Sequence, residues 1–162
     1  MSFVLSEDEQ MMRESARGFF GEAAPVSALR KLRDDKDSIG FSRELWRSMA
    51  EMGFCGVLVP EDQGGVDLGY AAAGLILEEM GRNLTSSPFI PTSVLAASAF
   101  NLAGTDAQKS EHLAKIASGE AIYAVAVDER ARHNPGHIET RATKDGNGFR
   151  LSGQKRFVNA GT

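Results

Sequence analysis

"GFCGVLVPEDQGGVDLGY", residues Gly53 to Tyr70, interrupts an otherwise helical part of the chain. It holds five glycines and the only cysteine, and its Pro60-Glu61-Asp62 run leads into the pair Gly64–Gly65. Three readings compete: a phosphate loop, a reactive thiol, or a tight connection between helices. A phosphate loop needs a Lys-Ser/Thr pair after its last glycine, or G-x-G-x-x-G spacing. Neither is present, and Glu61, Asp62 and Asp67 stand where an anion would sit. Cys55 lies among Phe54, Gly56, Val57 and Leu58 with no basic neighbour to lower its pKa, so it reads as a buried structural thiol. The connection survives. Gly53 stops one helix, the Val57–Pro60 run packs as an extended hydrophobic plug, and Gly64–Gly65 supply positive φ for the turn into the next helix.

Upstream, Ser6 and Glu9 make a capping-box pattern, and Met12, Ala16, Phe19 and Phe20 follow helical spacing to Gly21. Pro25 interrupts, and a short polar helix runs from Val26 to about Asp34. A third helix spans Phe41 to Met52, with Ser42 as N-cap and Leu45, Trp46, Met49 and Met52 on one face. Downstream, the Gly69–Gly81 helix is apolar over most of its surface, which makes it the central one. Pro88 and Pro91 break the pattern, "PTSVLAASAFNLAG" resumes it, and Asp106 caps a last helix whose Leu113, Ile116 and Ala117 form an apolar stripe.

At Glu120 the texture changes. "AIYAVAV" is a compact β-branched and aromatic run, "HIETRAT" alternates, "DGNG" is a hairpin turn, and "FRLSGQKRFV" supplies further strand. The fold class is therefore a mainly α N-terminal helical bundle, residues 1–119, followed by an incomplete antiparallel β domain, residues 120–162. Three or so strands leave unpaired edges and an uncovered face. The expectation is that a C-terminal part is missing or that something else covers the sheet.

The 162 residues suffice for one domain and part of another. A net charge of −4 argues against nucleic acid, which demands a basic stripe. The longest apolar run, Ala71 to Leu77, is too short to span a bilayer. An N-terminus without a leader pattern and a lone cysteine suit a cytoplasmic, reducing setting.

His133 and His137 are four residues apart, but Asn134, Pro135 and Gly136 between them rule out a helical metal pair, and no third ligand is evident. The Glu78–Glu79 pair ends the apolar helix, so one carboxylate can face inward as a partner of Arg82 or of another helix, or as a pocket wall. Residue chemistry alone yields no complete active site and no catalytic residue.

The ordered motifs carry more. "WRSMAEMGFCGVLVPEDQGGVDLGYAAAGLILEEMGR", then "QKSEHLAKIASGE", then "YAVAVDE" and "DGNGFRLSGQKRFVNAG" closely resemble the acyl-CoA dehydrogenase family of flavoproteins over essentially the whole chain. The resemblance implies an N-terminal helical domain, a middle β domain and a C-terminal helical domain that is absent here. It also implies FAD as cofactor, an acyl-CoA thioester as substrate and α,β-dehydrogenation, in which a glutamate takes the α-proton while the β-hydride passes to the flavin. An electron-transfer flavoprotein as acceptor and a homo- or hetero-oligomeric complete form follow from the same likeness. The C-terminal domain normally carries the catalytic glutamate, so this chain by itself is expected to be inactive. Alternatives are an acyl-CoA oxidase or a flavin monooxygenase on the same scaffold, or a non-catalytic truncated subunit paired with a full-length partner.

Position by position, the resemblance sets Val127 and Asp128 beside the flavin, where the family usually offers Leu/Val-Thr. Asp128 is a departure: a carboxylate there would disfavour the reduced flavin unless it points away. Phe157, Val158 and Asn159 fall where many members have Trp-Ile-Thr/Ser against the ring. The usual G-S-D is missing, and "ARHNPGH" fills that loop, which offers Arg132, His133 and Asn134 to the pyrophosphate or the CoA. Ser87, Pro91 and Val94 lie on the segment resembling the floor of the acyl pocket.

Overall fold

The computed structural model describes residues 4–159. Ala160 and Gly161, which end the segment resembling the family's next β stretch, lie outside them. The chain divides into two compact units, one ending at Tyr123 and the other beginning at Ala124.

In the first unit, helix α1 (Glu7–Ala23) starts at the expected capping box. Ser6 Oγ accepts from the Glu9 amide at 3.2 Å, and the Glu9 carboxylate accepts from the Ser6 amide at 2.8 Å. Glu7, Asp8 and Glu9 in the first turn also favour the positive end of the helix dipole. The helix runs two residues beyond Gly21 and buries Ala16 and Phe20. Helix α2 (Val26–Asp34) follows Pro25. Helix α3 (Arg43–Glu51) is capped by Ser42, whose Oγ accepts from the Leu45 amide at 3.1 Å. It buries Trp46 and Met49, whereas Met52, expected on that face, falls just past the helix and is exposed.

The Gly53–Tyr70 stretch is a closed connection, but not an extended one. Gly53 takes the left-handed conformation at φ +79° and ends α3. Residues Phe54–Gly56 then form a 3-10 turn, and Val57 continues it at φ −57°, ψ −30°. Val57, Leu58 and Val59 are all buried, so their amides cannot turn to water. With no neighbouring strand to bond, the backbone satisfies itself locally: Val57 donates to Phe54 O and Val59 to Gly56 O. The return leg then pairs with this turn, Val66 donating to Gly56 O, Asp67 to Val59 O and Leu68 to Val57 O.

The two glycines of the pair do different work. Gly64 has the expected positive φ of +84°. Gly65 does not; it is needed because a Cβ there would lie 1.9 Å from Val59 O.

Helix α4 (Gly69–Arg82) buries Ala72, Ala73, Ile76, Glu79 and Met80 and packs chiefly against α1. Beyond it, Ile90–Ala96 forms a wide π turn that runs directly into α5 (Ala97–Ala103). The Ala97 amide reaches back five residues to Thr92 O, and Pro91 sits in the first turn of the segment, where its missing N–H costs no helical bond. Helix α6 (Asp106–Ala117) buries the predicted Leu113, Ile116 and Ala117. Its N-cap is Thr105, not Asp106. Thr105 has the extended backbone that a cap requires and exchanges reciprocal bonds with Gln108, so Asp106 is already the first helical residue.

In the second unit, strands β1 (Arg141–Asp145) and β2 (Gly148–Ser152) form an antiparallel hairpin, with Arg141 opposite Ser152 and Asp145 opposite Gly148. The turn uses Gly146 at φ +60°. Residues 121–127, expected as a strand, form no ladder among the described residues. A β-rich composition becomes a strand only when a partner backbone is in reach. Here the Ala121 amide bonds back to Lys115 O, and further backbone bonds go to side chains. Tyr123 N bonds to Thr92 Oγ1, and Val127 O accepts from Lys155 Nζ. No helix among the described residues is long and apolar enough to cross a membrane.

Candidate functional site

The second unit brings together most of the residues singled out from the sequence. The Arg156 amide donates to Asp128 O at 2.7 Å, and Lys155 Nζ donates to Val127 O at 3.1 Å. These two bonds clasp the 127–128 segment to the 155–159 segment. Phe157 projects from the clasp, 77% exposed, with a left-handed backbone at φ +53°. Val127 is exposed as well, Val158 is half-buried and Asn159 is exposed.

The Asp128 carboxylate is already engaged. Its oxygens lie 3.0 and 3.1 Å from His133 Nδ1, and Oδ1 accepts from the Asn134 amide at 3.1 Å. The His133 ring, followed by the Asn134 amide, holds the Asp128 carboxyl below its ordinary range. Two residues offered to a pyrophosphate or to CoA therefore close the 128–134 loop onto the departing aspartate.

Glu129 is the residue that the sequence reading passed over. Its carboxylate accepts from the Glu139 amide, the Thr140 amide and the Thr140 hydroxyl, and it sits 2.8 Å from Lys155 Nζ. These bonds, led by Lys155, push its carboxyl down to about 2. A signal existed: an acid closing an apolar run, with a lone lysine inside the later "GQKRF" segment. Nearby, Arg130 and then His137 hold the Glu139 carboxyl below its ordinary range. No group of three or more metal-ligating side chains occurs among the described residues.

In the first unit, Ser87 Oγ accepts from the Phe89 amide at 3.3 Å, Pro91 is buried inside the π turn, and Val94 is half-buried with its carbonyl bonded by Ser98 Oγ. Next to Pro91, the buried Thr92 Oγ1 donates to Tyr123 O and accepts from Tyr123 N, each at 3.0 Å. One hydroxyl thus stands in for a pair of strand bonds. Glu79 is the inward acid of the pair. Its carboxylate lies 3.7 Å from Arg17 Nε of α1 and 3.4 Å from Arg82 Nε, while Glu78 pairs with Arg82 at 2.6 Å.

Cys55 is fully buried, and burial pushes its thiol up to about 12, with the adjacent Ser93 hydroxyl opposing only part of that rise. The thiolate is the reactive species. The folded protein should therefore resist a thiol reagent at pH 8, and labelling should track unfolding by urea. Prompt labelling without denaturant would contradict this placement.

The model of the acyl-CoA dehydrogenase N-terminal domain family matches residues 6–120. The chain belongs to the acyl-CoA dehydrogenase family. It is 34% identical over 157 residues to the (2S)-methylsuccinyl-CoA dehydrogenase of Cereibacter sphaeroides, a match covering 95% of this chain and 28% of the relative. It is 31% identical to the mitochondrial isobutyryl-CoA dehydrogenase of Dictyostelium discoideum, covering 99% and 38%. Among solved structures, the acyl-CoA dehydrogenase from Geobacillus kaustophilus superposes with a TM-score of 0.77 at 29% identity, covering 98% of this chain and 41% of that one. The acyl-CoA dehydrogenase from Bacillus anthracis, complexed with FAD, shares the fold with a TM-score of 0.78 at 24% identity, covering 95% and 26%. The chain thus spans well under half the length of each of these family members.

Proposed function

We propose that this chain provides the N-terminal helical domain and the opening β segment of an FAD-dependent acyl-CoA dehydrogenase, which removes hydrogen from the α and β carbons of an acyl-CoA thioester. The observation that carries the reading is the clasp in the second unit. The two segments that the resemblance sets beside the flavin, 127–128 and 157–159, are held together there by bonds from Lys155 and Arg156.

The residues suit a flat aromatic group. Phe157 offers an exposed ring face, and Val127 an exposed apolar flank. The feature that argued against a flavin, the carboxylate of Asp128, is turned onto His133 and the Asn134 amide, which accounts for its oxygens as hydrogen-bond acceptors. When bound, FAD would accept the hydride equivalent leaving the acyl β-carbon. Val127, Phe157, Val158 and Asn159 would be the residues that hold the ring. Ser87, Pro91 and Val94 would border the acyl chain, the last two from within the π turn. An electron-transfer flavoprotein as acceptor, oligomeric assembly and a cytoplasmic setting complete the proposal.

The test is direct. Protein purified from its source should be yellow, release FAD on denaturation, and reduce an artificial acceptor when given an acyl-CoA. Oxygen consumption with peroxide release would instead assign the oxidase chemistry. Colourless protein indifferent to every acyl-CoA tried would overturn the reading.

A further inference from the structure

We propose that Glu129 is a positioning residue: acting through Lys155, its carboxylate fixes the spacing between Val127–Asp128 and Arg156–Phe157, and so the geometry offered to the flavin. The assignment rests on the flavin reading above and adds to it a residue outside the contact set.

Three segments converge on this one side chain. Glu129 belongs to the first, the Glu139 and Thr140 amides at the root of β1 belong to the second, and Lys155 belongs to the third. The Glu129 side chain is only 4% exposed, and the Lys155 side chain is largely covered too, at 26%. An ion pair enclosed to this degree has few alternative geometries, unlike one on an open surface. The same Lys155 ammonium bonds Val127 O, so moving the ammonium moves its hold on the carbonyl of a flavin-facing residue.

The second observation is backbone strain. Phe157 has φ +53°, a conformation that costs an aromatic residue free energy and persists only where its flanks are fixed. Its fixed flank is Lys155–Arg156, bonded to Val127 O and Asp128 O. Release Lys155 from Glu129 and one of those two anchors loses the charge that aims it.

The groups facing the Glu129 carboxylate are the Lys155 ammonium, the Thr140 hydroxyl and the Glu139 and Thr140 amides. The neighbouring Asp128 is taken up by His133 and Asn134, and the Glu139 carboxylate by Arg130 and His137. Because Glu129 titrates near 2 in the fold, below the ordinary 4.5, its ties are complete above pH 4.5 and are lost as pH falls through about 2.

The test compares the intact chain with its Glu129→Gln and Lys155→Met variants, using FAD itself as the probe. Glu129→Gln should lower amide-exchange protection at Arg156 at least tenfold and weaken FAD binding about tenfold, with an altered flavin absorption band. Unfolding of the first unit, followed by the fluorescence of its buried Trp46, should be unchanged. Lys155→Met should match these losses, and the double variant should add little to either. In the wild type, protection at Arg156 should hold down to pH 4.5 and fall towards pH 2; in Glu129→Gln that fall should be absent. FAD affinity and absorption equal in wild type and Glu129→Gln would overturn the assignment while leaving the flavin reading intact. Absence of FAD uptake by the wild-type protein would overturn both, whatever the exchange result.

Discussion

Gly65→Ala should destabilise the helical unit by about 3 kcal/mol or more, and clearly more than Gly64→Ala, although Gly64 is the glycine with the left-handed backbone. An added Cβ at Gly65 would meet Val59 O at 1.9 Å and the Val59 carbonyl carbon at 2.5 Å. These are backbone atoms, so no rotamer change relieves the clash. Val59 is buried, and its carbonyl already accepts from the Asp67 amide at 3.1 Å. Pushing the strands of this loop apart would break that bond and those from Val66 and Leu68 beside it. At Gly64 nothing lies within 4 Å, so alanine meets only the left-handed penalty, about 1–2 kcal/mol. Urea unfolding followed by Trp46 fluorescence separates the two. A Gly64→Ala loss equal to or larger than that of Gly65→Ala would refute the close-approach account.

This pair also shows where sequence reasoning reaches and where it stops. Local chemistry with a fixed spacing was legible: Ser6 with Glu9, Ser42 before α3, and Gly53 after it all cap as expected, because a cap is a contact between residues three or four apart. Asp106 and Thr105 are both good cap types, but only Thr105 has a Gln three residues on to complete a capping box, a signal the reading missed and the backbone dihedrals bear out. Gly64–Gly65 was readable as a turn, yet the reason for the second glycine is a residue six positions upstream that folds back over it. The π turn was not legible at all. Pro91 fits the first turn of the resumed helix, where its missing N–H costs nothing, but no local signal marks the wide turn around the buried Thr92, whose two bonds go to Tyr123, thirty-one residues away.

The β region failed for a related reason. "AIYAVAV" has strand composition, but composition cannot supply the neighbour that a strand needs. The candidate site divided in the same way. Likeness to the family singled out two segments, 127–128 and 157–159, and the structure shows bonds from Lys155 and Arg156, next to the second, to the first. It could not tell that Asp128 turns towards His133. It also passed over Glu129, since a residue acting through long-range hydrogen bonds leaves no periodic trace.

The second large effect falls one residue into the opening stretch. Phe54→Ala should cost about 3–5 kcal/mol. Phe54 is fully buried, with its ring stacked on Phe20 at 5.6 Å and meeting the edge of Phe19 at 5.4 Å; Phe19 and Phe20 themselves meet edge-on at 5.1 Å. Phe19 and Phe20 sit on α1, whereas Phe54 follows the left-handed Gly53 directly, so this trio fastens the connection to a helix more than thirty residues away. The cavity left by alanine cannot collapse easily, because the next residues, Cys55 and Gly56, are held in the 3-10 turn and Gly56 lies close against Ala117. Phe54→Leu keeps most of the volume and should cost about 1.5 kcal/mol or less. A double-mutant cycle of Phe54→Leu with Phe20→Leu should return about 0.5–1.5 kcal/mol of coupling, the share due to ring geometry rather than buried area. Equal losses for Phe54→Leu and Phe54→Ala would place the cost in ring-specific contacts and not in the cavity. Additive losses in the cycle would show that the stacking contributes nothing beyond burial.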